Sequence, residues 1–191
     1  ALPLAFWLLF QEKALPIKLR FWTSVMIMGV LNNFLPFNFI AFGQLYVTGG
    51  IASIINANTA FMGVIISGLF LSGEPATWNR VVGVMIGVTG VAIAIGVTPM
   101  LPAADANDLL LGSLAIILAT IAYAFAGVWG KIKLAEYSPT QSAVGMLICS
   151  SVISVLCSFF ISGPPSLTIT NHPFDLIKVV LGLGVLGTAL A

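Results

Sequence analysis

Charge is what this chain has least of: Asp, Glu, Lys and Arg make up 7% of its 191 residues, where a soluble domain carries about 25%. With 59% hydrophobic residues besides, a water-soluble globule is excluded. Seven Lys/Arg against six Asp/Glu leave a formal net charge of +1. There is no basic field to meet phosphates, so nucleic acid is excluded as a partner. The two cysteines, Cys149 and Cys157, share one apolar stretch. Eight residues of helix hold them about 12 Å apart, too far for a disulfide, and they make no metal pair. Neither a metal nor a cofactor is expected. No secretory signal or low-complexity tract is visible.

What the sequence does have is long charge-free apolar runs, and a bilayer core takes about 20 such residues per helix. Five complete spans qualify, roughly 21–45, 50–72, 79–98, 109–130 and 139–162, designated A to E, with partial spans at 1–10 and from 176 onward. Pro16, the Gly73-Glu74-Pro75 turn, Pro99, Pro102, Ser138-Pro139 and Gly163-Pro164-Pro165 punctuate them, as helix breakers should. The lipid bilayer is therefore the expected environment.

Orientation follows from Lys and Arg on alternate loops. Lys13, Lys18, Arg20, Arg80, Lys131 and Lys133 fall on one side and only Lys178 on the other, so the loops at 11–20, 73–78 and 131–138 are expected in the cytoplasm. Trp22, Tyr46, Trp78 and Tyr137 at span ends fit interfacial seating.

A weak internal repeat accompanies this pattern. Gly29-Val30-Leu31 in span A recurs as Gly184-Val185-Leu186, and the same offset places span E over the partial span 1–10. The copies have opposite topology, as an odd number of spans per repeat requires. The implied architecture is an all-α polytopic bundle, with five full and two partial spans of an inverted 5+5, ten-helix protein. Residues 1–98 then form the end of the first five-helix repeat, 99–108 an extracytoplasmic linker and 109–191 the start of the second. The offset implies about 47 residues before Ala1 and about 62 after Ala191, giving a parent of roughly 300 residues. A chain starting at Ala1 and stopping inside the apolar run Val179–Ala191 reads as a fragment that should not transport alone.

Small residues let helix backbones approach in lipid. Span B carries Ala52, Asn56, Ala60, Gly63 and Ser67; span C carries Gly83, Gly87, Gly90 and Ala94; span D carries Ala115, Ala119, Ala122, Ala126 and Gly130. Each stripe predicts close packing within the bundle; Gly83-x-x-x-Gly87 also leaves a homodimer seam open.

No Asp, Glu, Lys, Arg or His occupies the central part of a complete span, which removes the usual proton relay. Amides remain. Asn32 and Asn33 sit near the midpoint of span A, and Asn38 lies at a depth similar to Asn56 and Asn58 of span B. Pro36 withdraws the amide that would bond the Asn32 carbonyl, freeing a backbone acceptor beside two side-chain amides. A discontinuous-helix binding site has these features. The plainer alternative is interhelical glue. Tyr123 in span D offers a hydroxyl and a stacking face, or simply packs. Trp129 reads as an interface anchor, and Ser150, Ser151, Ser154 and Ser158 as serines bonding their own helix carbonyls. Gly73 and Glu74 read as a structural turn, the carboxylate complementing the positive end of span C.

The stretch from Asn32 to Gly96 resembles the first repeat of EamA-type carriers of the drug/metabolite transporter superfamily. The features are Asn32-Asn33-x-x-Pro36, Gly50-x-Ala52-Ser53-Ile54-x-Asn56, the Gly73-Glu74 turn and the glycine-spaced helix after it. The resemblance implies a multi-pass carrier of the bacterial inner (plasma) membrane, cytoplasmic at both ends, with a central cavity between inverted halves. Such carriers export amino acids, other metabolites or drugs. It brings Asn32, Asn33, Asn58 and Thr59 forward as substrate-binding candidates, with Tyr123 added from the reading of span D. One departure is that Ala60 follows Thr59 where relatives often have Pro, which removes the residue that would kink span B.

The function expected is a secondary transporter that exports a small polar or zwitterionic metabolite by alternating access. The competing classes are a non-transporting membrane scaffold and an intramembrane enzyme, although the visible serines lack a partner His or Asp at depth.

Overall fold

A computed structural model describes residues 15–71, 77–95 and 106–162 of the chain. Every regular element among them is helical. In chain order these are α1 (Leu19–Gly29), a π-helical turn (Val30–Phe34), α2 (Leu35–Gly43), α3 (Gly49–Ala57), α4 (Thr59–Phe70), α5 (Trp78–Ile95), α6 (Ala106–Lys133) and α7 (Pro139–Ser162). Among the described residues, four stretches are long and apolar enough to cross a bilayer: Leu19–Gly43, Gly49–Phe70, Asn107–Lys133 and Pro139–Phe160. They match spans A, B, D and E. Span C is represented by the 18-residue α5. The partial spans at 1–10 and from 176, the Gly73-Glu74 turn and most of the 99–108 linker lie outside the described residues.

The surface is that of a membrane protein. Phe160 is 83% exposed and Leu69 75%, an arrangement costly in water but neutral against lipid tails.

Two compact units are distinguished. In the first, α1 packs against α7. Phe21 and Val25 are fully buried because Gly145 leaves them room; a Cβ there would stand 3.1 Å from both side chains. One turn on, a Cβ at Gly29 would lie 2.8 Å from the Met146 carbonyl oxygen. Contacts advance together along both helices, so α1 and α7 run parallel, as spans A and E must if both leave the same side. The Phe21 ring meets Tyr137 edge-on at 4.9 Å. Partial burial, followed by a hydrogen bond to Glu136, pushes the Tyr137 phenol up. The start of α7 is a reciprocal capping box. The Ser138 amide donates to Gln141 Oε1, and the Gln141 amide donates to Ser138 Oγ, each at 3.2 Å. Pro139 occupies the first helical position, where its missing N–H costs nothing.

The second unit, Val30–Ala135, is organised around α6, against which the π-turn, α2, α3 and α4 pack. The expected stripe of span D explains this: Ala115, Ala119, Ala122 and Ala126 are all buried. Asp108 in the first turn and Lys131 and Lys133 in the last complement the helix dipole. Val47, Ala52 and Ile116 form one apolar cluster, and Ile66, Ala124 and Val128 another. The α3–α4 segment thus ascends alongside α6, parallel to it, while α2 runs the other way. α6 was expected to open the second repeat, and it shares this unit with helices expected in the first.

Candidate functional site

Span A is not broken at Asn32. It continues from Leu19 to Gly43 through the π-turn, whose five residues Val30–Phe34 include Asn32 and Asn33. A π-turn is an extra residue accommodated in a helix, and such turns are frequent at functional sites. Pro36 falls in the first turn of α2, where its lack of an amide is tolerated. Asn38 turns back on its own helix, its Nδ2 donating to the Phe34 carbonyl at 2.6 Å.

Span B, in contrast, is interrupted without any proline. α3 ends at Ala57 and α4 begins at Thr59. Between them the Asn58 amide reaches the Ile55 carbonyl at 3.0 Å, a tighter turn than α-helix. The Thr59 hydroxyl donates to the Asn56 carbonyl at 2.7 Å, diverting an acceptor from the regular ladder. Asn56 Oδ1 is buried without a hydrogen-bond partner among the described residues.

Downstream of this interruption, a cavity of about 360 Å³ opens between α4, the start of α5 and α6. Thr59, Gly63 and Ser67 recur at i+4 on α4, and Tyr123, Gly127 and Lys131 at i+4 on α6, so each row lies along one helix face. Both rows line the cavity, together with Ala60, Leu71 and Arg80. Its existence depends on small residues: a Cβ at Gly63 or Gly127 would meet nothing within 4 Å. The span B stripe was expected to bring helices together. Its Ala52 does pack, but Ala60, Gly63 and Ser67 hold a space open.

The cavity lining mixes apolar, hydroxyl and cationic side chains. Thr59, Ser67 and Tyr123 bring hydroxyl side chains to the lining, and Arg80 and Lys131 bring cationic ones. Thr59 and Ser67 donate their protons to the helix carbonyls of Asn56 and Val64, which leaves their oxygens as acceptors. Of the sequence candidates, Thr59 and Tyr123 come together here, whereas Asn32, Asn33 and Asn58 do not line the cavity. Arg80 and Lys131, counted in the sequence only for orientation, join it. The i+4 row linking Tyr123, Gly127 and Lys131 was the signal that could have found Lys131. For Arg80, 43 residues before Tyr123, there was none.

A second, larger groove of about 640 Å³ runs between α2 and α6. Phe39, Phe42, Leu111, Leu114 and Leu118 line it, and its one polar side chain is the self-bonded Asn38.

Apolar spanning helices around a small, mainly apolar cavity with a few polar side chains are those of a multi-pass membrane protein. The model of the EamA-like transporter family matches residues 1–96, and the chain belongs to that family, within the drug/metabolite transporter superfamily. An uncharacterized transporter of Archaeoglobus fulgidus is 25% identical over 172 residues, covering 90% of this chain and 57% of that protein. The chain thus spans little more than half of that relative's length. No solved structure matches it.

Proposed function

We propose that the protein is a secondary transporter of the bacterial inner (plasma) membrane that exports a small polar or zwitterionic metabolite, such as an amino acid, a related compound or a drug. The observation that carries this reading is the cavity between α4 and α6, whose 360 Å³ falls in the range of small-molecule sites, about 300–1,000 Å³. A lining that holds both hydroxyl acceptors and cationic groups suits a small polar or zwitterionic solute. Export proceeds by alternating access, the repeats at 1–98 and 109–191 rocking as inverted halves of a ten-helix carrier. The loops at 11–20, 73–78 and 131–138 face the cytoplasm on the Lys/Arg asymmetry. Asn32, Asn33 and Asn58 contribute through the π-turn and the span B interruption, where the backbone can re-register as the halves move. The glycine edge of α5, open at Gly83, Gly87 and Gly90, receives another helix of the bundle or a second copy.

Substituting Gly63→Leu in the complete gene product tests the central claim. The side chain enters open space, so membrane level and thermal stability should match the parent while flux of labelled amino acids, amines and related metabolites from proteoliposomes is lost. Unchanged flux would place the substrate elsewhere.

A further inference from the structure

We infer that the substrate presents a hydrogen-bond donor, an N–H or O–H group, to Thr59 and Tyr123, two hydroxyl residues that line the α4–α6 cavity at the middle of their spanning stretches. This rests on the reading of that cavity as the substrate site and names the chemistry by which it selects.

Three observations carry it. The first is depth. Thr59 is the eleventh of the 22 residues of Gly49–Phe70, and Tyr123 the seventeenth of the 27 of Asn107–Lys133, about 5 Å past that helix's midpoint at about 1.5 Å per residue. Both line the cavity. Interfacial seating suits Tyr46 and Tyr137 at span ends but does not account for a tyrosine at mid-depth. Second, Tyr123 is unengaged where the other two tyrosines are not. The Tyr46 ring packs on Phe42 at 5.3 Å and the Tyr137 ring on Phe21 at 4.9 Å. Tyr123, half-buried, has neither a ring partner nor a hydrogen bond among the described residues. A phenol at such depth ordinarily finds a partner, and a molecule in the cavity supplies one. Third, Thr59 fixes the sign of the recognition. Its hydroxyl proton is committed to the Asn56 carbonyl at 2.7 Å, so toward the cavity it only accepts. Tyr123 alone would take a donor or an acceptor. Beside Thr59, a donor satisfies both, and the ring face adds attraction where that donor is an ammonium. Lys131 of the same lining is eight residues beyond Tyr123 on α6, about 12 Å along the axis.

The test is flux from liposomes of phosphatidylcholine, a lipid with no N–H or O–H group of its own, using the complete gene product. The labelled probes are α-amino acids, the matching α-hydroxy acids, and the matching acids that lack both groups. At least one donor-bearing class should be moved at least tenfold better than the third, and the better of the two tells an ammonium from a hydroxyl. Tyr123→Phe, which keeps the ring, should raise KM for that class about tenfold while kcat and membrane level stay near the parent's. Thr59→Val should raise KM likewise, and Thr59→Ser, which keeps the hydroxyl, should stay close to the parent. Thr120 is a fully buried hydroxyl residue of α6 outside the cavity lining, bonded to the Ile117 carbonyl at 2.7 Å, and Thr120→Val should leave KM unchanged. Equal handling of the three classes, an unchanged KM in Tyr123→Phe, or an equal rise in Thr120→Val would overturn the proposal, while flux blocked by Gly63→Leu still upheld the cavity as the site. Flux untouched by Gly63→Leu, or no flux of any probe, would remove the underlying reading instead.

Discussion

Gly43 of α2 and Gly112 of α6 meet backbone to backbone. A Cβ on Gly43 would lie 2.8 Å from the Gly112 carbonyl oxygen, and a Cβ on Gly112 would lie 2.9 Å from that of Gly43. The helices cross there as closely as two chains can, with Ile116 fully buried beside them. Gly43→Ala and Gly112→Ala should each destabilise the unit by about 1–3 kcal/mol, the usual cost of overpacking. A loss of thermal stability in detergent would show it.

Gly63→Ala should have the opposite sign. Its Cβ has open space, and alanine is favoured over glycine within a helix by up to about 1 kcal/mol. The same melting measurement compares it with Gly43→Ala, and equal losses at the two positions would contradict the packing described.

The capping box offers a third check. Ser138→Ala removes the acceptor for the Gln141 amide and should cost about 1 kcal/mol. Ser138→Asp should recover most of it, since a carboxylate accepts the same bond.

Burial and surface charge should separate cleanly in the first unit. Phe21, wholly buried against Gly145 and Tyr137, should lose about 3–5 kcal/mol as Phe21→Ala. Its neighbour Arg20 makes only an exposed pair with Glu136, and Arg20→Ala should stay within about 1 kcal/mol of the parent.

The π-turn yields a functional prediction. Asn33→Leu should abolish flux while leaving the amount of protein in the membrane normal, because it alters the amide face of the turn and leaves the spanning length intact. Parallel loss of protein and flux would mark Asn33 as interhelical glue.

The extents of spans A, B, D and E were legible in the sequence to within a few residues, since a charge-free run of bilayer length admits few other outcomes. The burial of Ala115, Ala119, Ala122 and Ala126 was legible too, because 3.6-residue periodicity sorts residues by face. Two local events were not. Span A keeps its helix through the π-turn although Pro36 signalled a break, the proline being accommodated in the first turn of α2. Span B breaks at Asn58 with no proline, because the Thr59 hydroxyl takes the Asn56 carbonyl.

The site divides in the same way. Thr59 and Tyr123 could be singled out as polar residues at depth, but their meeting with Arg80 and Lys131 could not. The sequence by itself determined that the chain lives in a bilayer, which stretches cross it and which residues share each helix face. Only the tertiary structure decided what each face confronts. The small residues of α6 are filled by neighbouring helices, whereas those of α4 and Gly127 border a cavity, and Gly43 and Gly112 join two backbones. Periodicity is a property of one helix, and contact is a property of two.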